Sequence, residues 1–154
     1  MDLSDLLGPD DILPSMRTNS KRQLLQDLAE KAELKTGMPA RQIFDTLLQR
    51  ERLGSTGVGN GIAIPHGKLP GLKHITGLFA RLEKPIDFEA LDDQPVDLVF
   101  LLLAPEGAGA DHLKALARIA RVMREHEKVA KLRDTSNANA IYSLLTDSPA
   151  SNAA

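Results

Sequence analysis

Cysteine is absent from the 154-residue chain, which excludes disulfides, thiolate nucleophiles and cysteine-based zinc sites. A chain that needs no oxidising compartment fits a cytoplasmic location. Tryptophan is also absent and aromatic residues make up 3%, too few for base-stacking platforms. No apolar run approaches the roughly 20 residues of a membrane-spanning helix, so no direct membrane insertion is expected. The segment Met1 to Leu7 has no basic stretch ahead of an apolar one, so it is not expected to act as a signal peptide. A basic excess is missing as well. Lys and Arg number 19 against 21 Asp and Glu, a formal net charge of −2. The two signs are interleaved, which argues against nucleic acid as a partner.

What is present suffices for a core, since 42% of the residues are hydrophobic. Length and composition predict one domain over residues 1–147, with 148–154 as a flexible tail. An amphipathic turn and an extended piece around Ile12, Leu13 and Pro14 open the chain. Ser20 followed by Gln23 reads as a capping box. Leu24, Leu25, Leu28, Ala29 and Ala32 then recur at helical spacing up to Gly37. Pro39 suits the first turn of a second helix, with Ile43, Phe44, Leu47 and Leu48 as its apolar stripe and Gly54 as its breaker.

The period then changes. Residues 61–65 and 75–82 read as strands, and 98–104 is a continuous apolar run of the kind buried on both faces of a sheet. A glycine-containing loop leads into a helix with Leu113, Leu116, Ile119, Ala120 and Met123 on its inner side. A last helix is expected over about 137–145. Helices before, between and after strands predict an α/β fold, a three-layer α/β/α sandwich. The link between residues 83 and 96 is too short for a helical crossover, so the central sheet is expected to be mixed.

The densest local signal runs from Ser55 to Gly67. Gly57, Gly59 and Gly61 permit unusual backbone angles and close approach. Pro65 biases Ile64 toward extended geometry, and strand alternation puts Ile62, Ile64 and His66 on one face. His66 is thus either a strand-end histidine with a satisfied hydrogen bond or an accessible reactive imidazole, with Gly67 leaving room before the ring. Arg50 lies seven residues after Ile43, and at about 100° per residue it returns to nearly the same side of the helix. It reads as an anion clamp or as a snorkelling helix-end cation. His112 follows the buried strand in the first turn of a helix, with Asp111 as expected N-cap. It is either a neutral hydrogen-bonding site residue or an ordinary polar first-turn residue. His74 and His126 sit in a loop and in a charged, solvated stretch.

Other chemistries find little support. Gly57, Gly59 and Gly61 do not form the dinucleotide fingerprint, and no phosphate-binding G-x-x-x-x-G-K-[ST] motif occurs. No zinc-hydrolase spacing and no serine elbow is present. No metal site and no cofactor are expected.

The run from Arg50 through Ser55, Thr56, Gly57 and Gly61 to Pro65, His66 and Gly67 resembles the active-site signature of enzyme IIA proteins of the bacterial phosphotransferase system. Within them it is similar to the fructose/mannitol/nitrogen-regulatory class. The segment 92–98 and the His112-Leu113 helix start also fit. The resemblance spans Leu3 to about Thr146 and implies the mannitol/fructose-type enzyme IIA fold. It implies that His66 accepts a phosphoryl group on Nε2 from an HPr-like carrier, supported by Arg50 and His112. Ser55, Thr56 and Gly67 would hold the ring or the phosphate, and the glycine loop is expected to offer backbone amides as an anion nest. Gly57 and Gly67-Lys68-Leu69 resemble the nitrogen-regulatory branch, in which the phosphorylation state is sensed by regulatory protein partners. A stand-alone sugar-specific enzyme IIA serving a IIB component, or a binding module that transfers nothing, are the alternatives. Leu53, Val58 and Leu69 are expected at an apolar rim for partner docking.

Overall fold

The computed structural model describes residues 2–147, so the expected tail at 148–154 lies outside the described residues. Two short 3-10 turns, Leu3–Asp5 and Pro9–Asp11, precede strand β1 (Ile12–Met16). Helices α1 (Lys21–Thr36) and α2 (Ala40–Arg52) follow. Next come three short strands, β2 (Gly57–Gly59), β3 (Ile62–Ala63) and β4 (His66–Leu69), then two long ones, β5 (Thr76–Ile86) and β6 (Val96–Pro105). Helices α3 (Ala110–Val122), α4 (His126–Asp134) and α5 (Ala138–Thr146) complete the order.

The helix boundaries follow from local chemistry. Ser20 caps α1, its hydroxyl accepting the Gln23 amide at 3.1 Å. The Gln23 side chain does not reciprocate and instead donates to Asp27 at 2.7 Å. Gly37 ends the helix at φ 75°, the left-handed conformation that favours glycine. The expected stripe of α1 is buried in full.

Two expectations fail in the C-terminal third. Gly109, not Asp111, is the N-cap of α3, and Leu113, expected inside, is 66% exposed. The buried face runs through His112, Ala115, Ile119 and Val122, centred about 140° around the helix from Leu113. The charged stretch ending at Lys128 also opens a helix of its own, α4, that the sequence pattern does not separate. It has only Val129 and Leu132 buried.

The sheet is mixed, in the order β1-β5-β6-β3-β2, with β4 also paired to β6. β1 runs parallel to β5, and β5 antiparallel to β6, as the short link between them requires. β3 and β4 lie along the same edge of β6 in one parallel register, Ile62 opposite Leu98 and His66 opposite Leu102. They amount to one strand interrupted at Ile64 and Pro65. There the Ile64 N–H turns away to the Thr56 carbonyl at 3.0 Å, and the Pro65 carbonyl accepts the Leu102 N–H at 3.0 Å.

Alternation along β6 builds two cores. Val99, Leu101 and Leu103 pack under α1 and α2. Leu98, Phe100 and Leu102 pack under α3, α4, α5 and the N-terminal turns. Phe100 meets Phe79 edge-on, with ring centroids 6.2 Å apart. Each large side chain removed from water in this way contributes about 1.5–3 kcal/mol. Helices therefore cover both faces of the sheet, the three-layer α/β/α arrangement. Among the described residues no helix is long and apolar enough to cross a membrane.

Candidate functional site

His66 opens β4, and its place in the sheet sets its direction. Parity with Ile62, Leu98 and Leu102 puts its side chain on the face covered by α3. His112, in the first turn of α3, is there to meet it, with ring centroids 5.7 Å apart at an interplanar angle of 52°. Nδ1 of His66 lies 2.8 Å from the Ile64 carbonyl. A carbonyl can only accept, so in the neutral ring this contact assigns the proton to Nδ1 and leaves Nε2 as a bare lone pair.

Burial lowers the His66 pKa most. The Arg50 cation adds to that, while the bond to Ile64 and the negative charge of Glu51 pull the other way. The net direction is down, so the ring is neutral and nucleophilic at neutral pH. Burial also lowers the His112 pKa, helped by His66 and Lys68. Among the described residues nothing bonds Nδ1 of His112, which is buried.

The third expected residue approaches from the opposite layer. Arg50, in the last turn of α2, is half-buried and donates from Nη1 to the Gly54 carbonyl at 2.9 Å. Arg52, on the far side of the helix, is exposed. Among the described residues no carboxylate forms an ion pair with Arg50, so its charge is available to an incoming anion. A cleft of about 570 Å³ gathers Arg50, Leu53, His66, Gly67, Lys68 and His112 along its walls. The two helix layers reach the same strand because of Gly67. A Cβ there would come within 2.7 Å of Cγ2 of Thr46 on α2. The missing side chain thus admits the helix that carries Arg50, rather than clearing space before the imidazole.

Ser55 and Thr56 are not placed as expected. Neither lines the cleft. The Ser55 hydroxyl donates to the Phe88 carbonyl at 3.2 Å and accepts the Gly57 amide at 3.1 Å. The Thr56 hydroxyl donates to Glu51, and the Thr56 amide donates to the other Glu51 oxygen at 3.0 Å. Both hydroxyls are committed to shaping the loop before any ligand arrives. Glu51 itself is buried and lies 3.0 Å from Lys21 Nζ. Sequence reasoning missed it, although a signal was available. Glu51 lies four residues after Leu47 and seven after Phe44, and so continues the apolar stripe of α2.

The glycine hairpin is likewise structural. Asn60 and Gly61, at φ 58° and 80°, make the tight turn between β2 and β3. The Asn60 amide is taken by Asp92 at 2.9 Å, and its carbonyl by Arg133 at 2.5 Å. A Cβ on Gly57 would meet Ala90 at 2.8 Å, and one on Gly61 would strike the Arg133 guanidinium. None of these glycines lines the cleft, so the hairpin offers no anion nest to it.

Lys68, which the sequence did not suggest as a site residue, adds a cation to the cleft wall. His74 and His126 are exposed and lie outside the cleft. Among the described residues no group of three or more His, Asp or Glu side chains is gathered as a metal would require. Of the expected apolar rim, Leu53 is 85% and Val58 53% exposed, whereas Leu69 is fully buried in the α1–α2 core. Leu113, next in sequence to His112, is a further exposed apolar residue.

The chain is similar in sequence and fold to known proteins. The family model described as "Phosphoenolpyruvate-dependent sugar phosphotransferase system, EIIA 2" matches residues 5–148. A nitrogen regulatory protein of Bradyrhizobium diazoefficiens is 63% identical over 150 residues, spanning 97% of this chain and 98% of that one. The crystal structure of nitrogen regulatory protein IIA-Ntr from Neisseria meningitidis superposes with a TM-score of 0.89 at 35% identity, covering 94% of this chain and 99% of that one. The mannitol IIA of Escherichia coli shares the fold, with a TM-score of 0.76 at 19% identity over 90% of this chain and 98% of that one.

Proposed function

The chain belongs to the EIIA 2 family of the phosphoenolpyruvate-dependent sugar phosphotransferase system, and from that premise we propose that it carries a phosphoryl group on Nε2 of His66. The donor is the phosphohistidine of a small HPr-like carrier in the cytoplasm. The output is the phosphorylation state itself, read by regulatory protein partners, as the likeness to nitrogen regulatory proteins suggests. The observation that carries this reading is the bond from Nδ1 to the Ile64 carbonyl. It leaves an unprotonated nitrogen on a ring that lines a cleft with a free arginine and a second histidine.

The chemistry follows from that lone pair. Nε2 attacks the phosphorus of the donor, the donor's P–N bond breaks, and its electron pair returns to the donor imidazole. Because Nε2 holds no proton, the step needs no general base. What it needs is alignment, and support for charge spread over the phosphoryl oxygens. Arg50 supplies a permanent cation whose planar fork matches two of those oxygens. His112 supplies a neutral ring on the opposite wall. Leu53, exposed on the cleft wall, and Leu113, exposed next in sequence to His112, supply apolar surface for a docked carrier. The unit that does this is the enzyme IIA-type domain over residues 1–147.

The test is incubation with phosphoenolpyruvate and the upstream phosphotransferase proteins. An acid-labile, base-stable phosphoadduct is expected, and it should vanish in His66→Ala. A wild-type chain that stays unlabelled under conditions that charge the HPr-like carrier would sink the proposal. Labelling is also expected in a metal-free preparation.

A further inference from the structure

We propose that Glu51 is a positioning residue for His66, acting through a run of hydrogen bonds that fixes the tautomer of the ring. This inference rests on His66 being the phosphoryl acceptor.

The run has three links. Both carboxylate oxygens of Glu51 hold Thr56, one through its amide at 3.0 Å and the other through its hydroxyl. The Thr56 carbonyl accepts the Ile64 N–H at 3.0 Å. The Ile64 carbonyl in turn accepts Nδ1–H of His66 at 2.8 Å. Ile64 precedes a proline, so its carbonyl belongs to a peptide unit without an N–H, and nothing on that unit's donor side can anchor it. Its direction is set by the neighbouring bonds, from the Ile64 N–H to the Thr56 carbonyl on one side and from the Leu102 N–H to the Pro65 carbonyl on the other. Remove the hold on Thr56, and the acceptor that keeps the proton on Nδ1 loses one of its two anchors, the one on the loop side.

The choice of a carboxylate supports this role over plain stability. Burying an ion pair is seldom better for stability than apolar packing, and Glu51 occupies a position where the α2 stripe would accept a leucine. A leucine could not take an amide and a hydroxyl at once. Lys21 holds the carboxylate from the other side at 3.0 Å, with its ammonium 4.6 Å from the centre of the Phe88 ring. The carboxylate is therefore held from α1 while it holds the loop that leads to His66. Arg50 and Glu51 divide the work: one side chain faces the cleft and the other fixes what lies behind the ring.

The test is ring nitrogen NMR of the full chain, with no phosphate present. The wild-type His66 should show a single Nδ1–H tautomer. Glu51→Gln keeps the shape but loses the charge and one acceptor, and should introduce the Nε2–H tautomer while the His112 signals and the far-ultraviolet circular dichroism stay as in wild type. Phosphoryl acceptance should fall about ten- to a hundred-fold, the scale of a small misplacement of reacting groups. Glu51→Asp should recover part of both. Unchanged tautomer and acceptance within two-fold of wild type would overturn the proposal. So would a slower rate with the tautomer unchanged, since that is what a merely structural loss produces. Should Glu51→Gln fail to fold, Thr56→Val removes one of the same bonds and is read in the same way. Because the tautomer is measured without phosphate, a failure of the carrier reading shows separately, as an unlabelled wild-type chain.

Discussion

Two helix ends face His66, and they are built in opposite ways. The C-terminus of α2 brings charge: Arg50 toward the cleft, and Glu51 behind it in a fully bonded network with Lys21 and Thr56. The N-terminus of α3 brings a single uncharged ring, with Nδ1 of His112 left without a partner among the described residues. A helix C-terminus tolerates cations, and an N-terminus disfavours an imidazolium. Arg50 and the neutral His112 ring each suit the dipole of their helix end, whereas Glu51 goes against it and is held there by Lys21 and Thr56. A phosphoryl group on His66 would meet a fixed cation on one wall and a neutral ring on the other. The contrast teaches that the site is not a symmetrical basic pocket. One wall carries a permanent cation and the other a neutral ring.

The largest expected effect comes from breaking the charged wall. Arg50→Ala should lower the rate of phosphoryl acceptance by about 10²- to 10³-fold, the cost of losing one preorganised donor. Its circular dichroism should be unchanged, and transfer kinetics equal to wild type would remove Arg50 from the site. Arg50→Lys should recover only part, because an ammonium cannot reproduce the planar fork.

Breaking the neutral wall should cost less. His112→Ala should still be labelled, with transfer slowed about ten-fold, the scale of one lost hydrogen bond. Wild-type rates measured both into and out of the protein would show that the second wall plays no part.

The smallest effect is on stability, and it sharpens the comparison through pH. Burial is the first cause of the lowered pKa at both rings. The folded chain thus binds these protons less tightly than the unfolded chain. The stability this reflects is fully present above the unfolded-chain value of about 6.5 and is lost as the pH falls below it. Urea unfolding between pH 7.5 and pH 5 should show this decline, and His66→Ala should flatten part of it. A wild-type profile with no decline over that range would contradict the assignment.

Much of this site can be read in the residues themselves, and what cannot has a common cause. Arg50 and Arg52 separate because helical phase is local, and the face of His66 follows from strand alternation. Glu51 lies on the same legible stripe, but a carboxylate there suggests surface until its partners are known. Those partners, Lys21 and the loop at Thr56, come from different elements. The glycine hairpin misleads in the same way. The groups that crowd it, Ala90, Asp92 and Arg133, lie far along the chain, so a need for close approach is visible while what approaches is not. Helix α4 escapes notice because its contact with the core rests on Val129 and Leu132, too few for a period to emerge.

The strand that bears His66 is paired residue by residue with β6, from His66 opposite Leu102 to Leu69 opposite Pro105. β6 in turn is sealed into hydrophobic core on both faces. Displacing this backbone would mean opening the centre of the domain, so the charged and uncharged forms should superpose almost atom for atom. A receptor that tells them apart would then be distinguishing two chemistries at one fixed address. Its own complementary groups, rather than any rearrangement of this chain, would decide which form it binds.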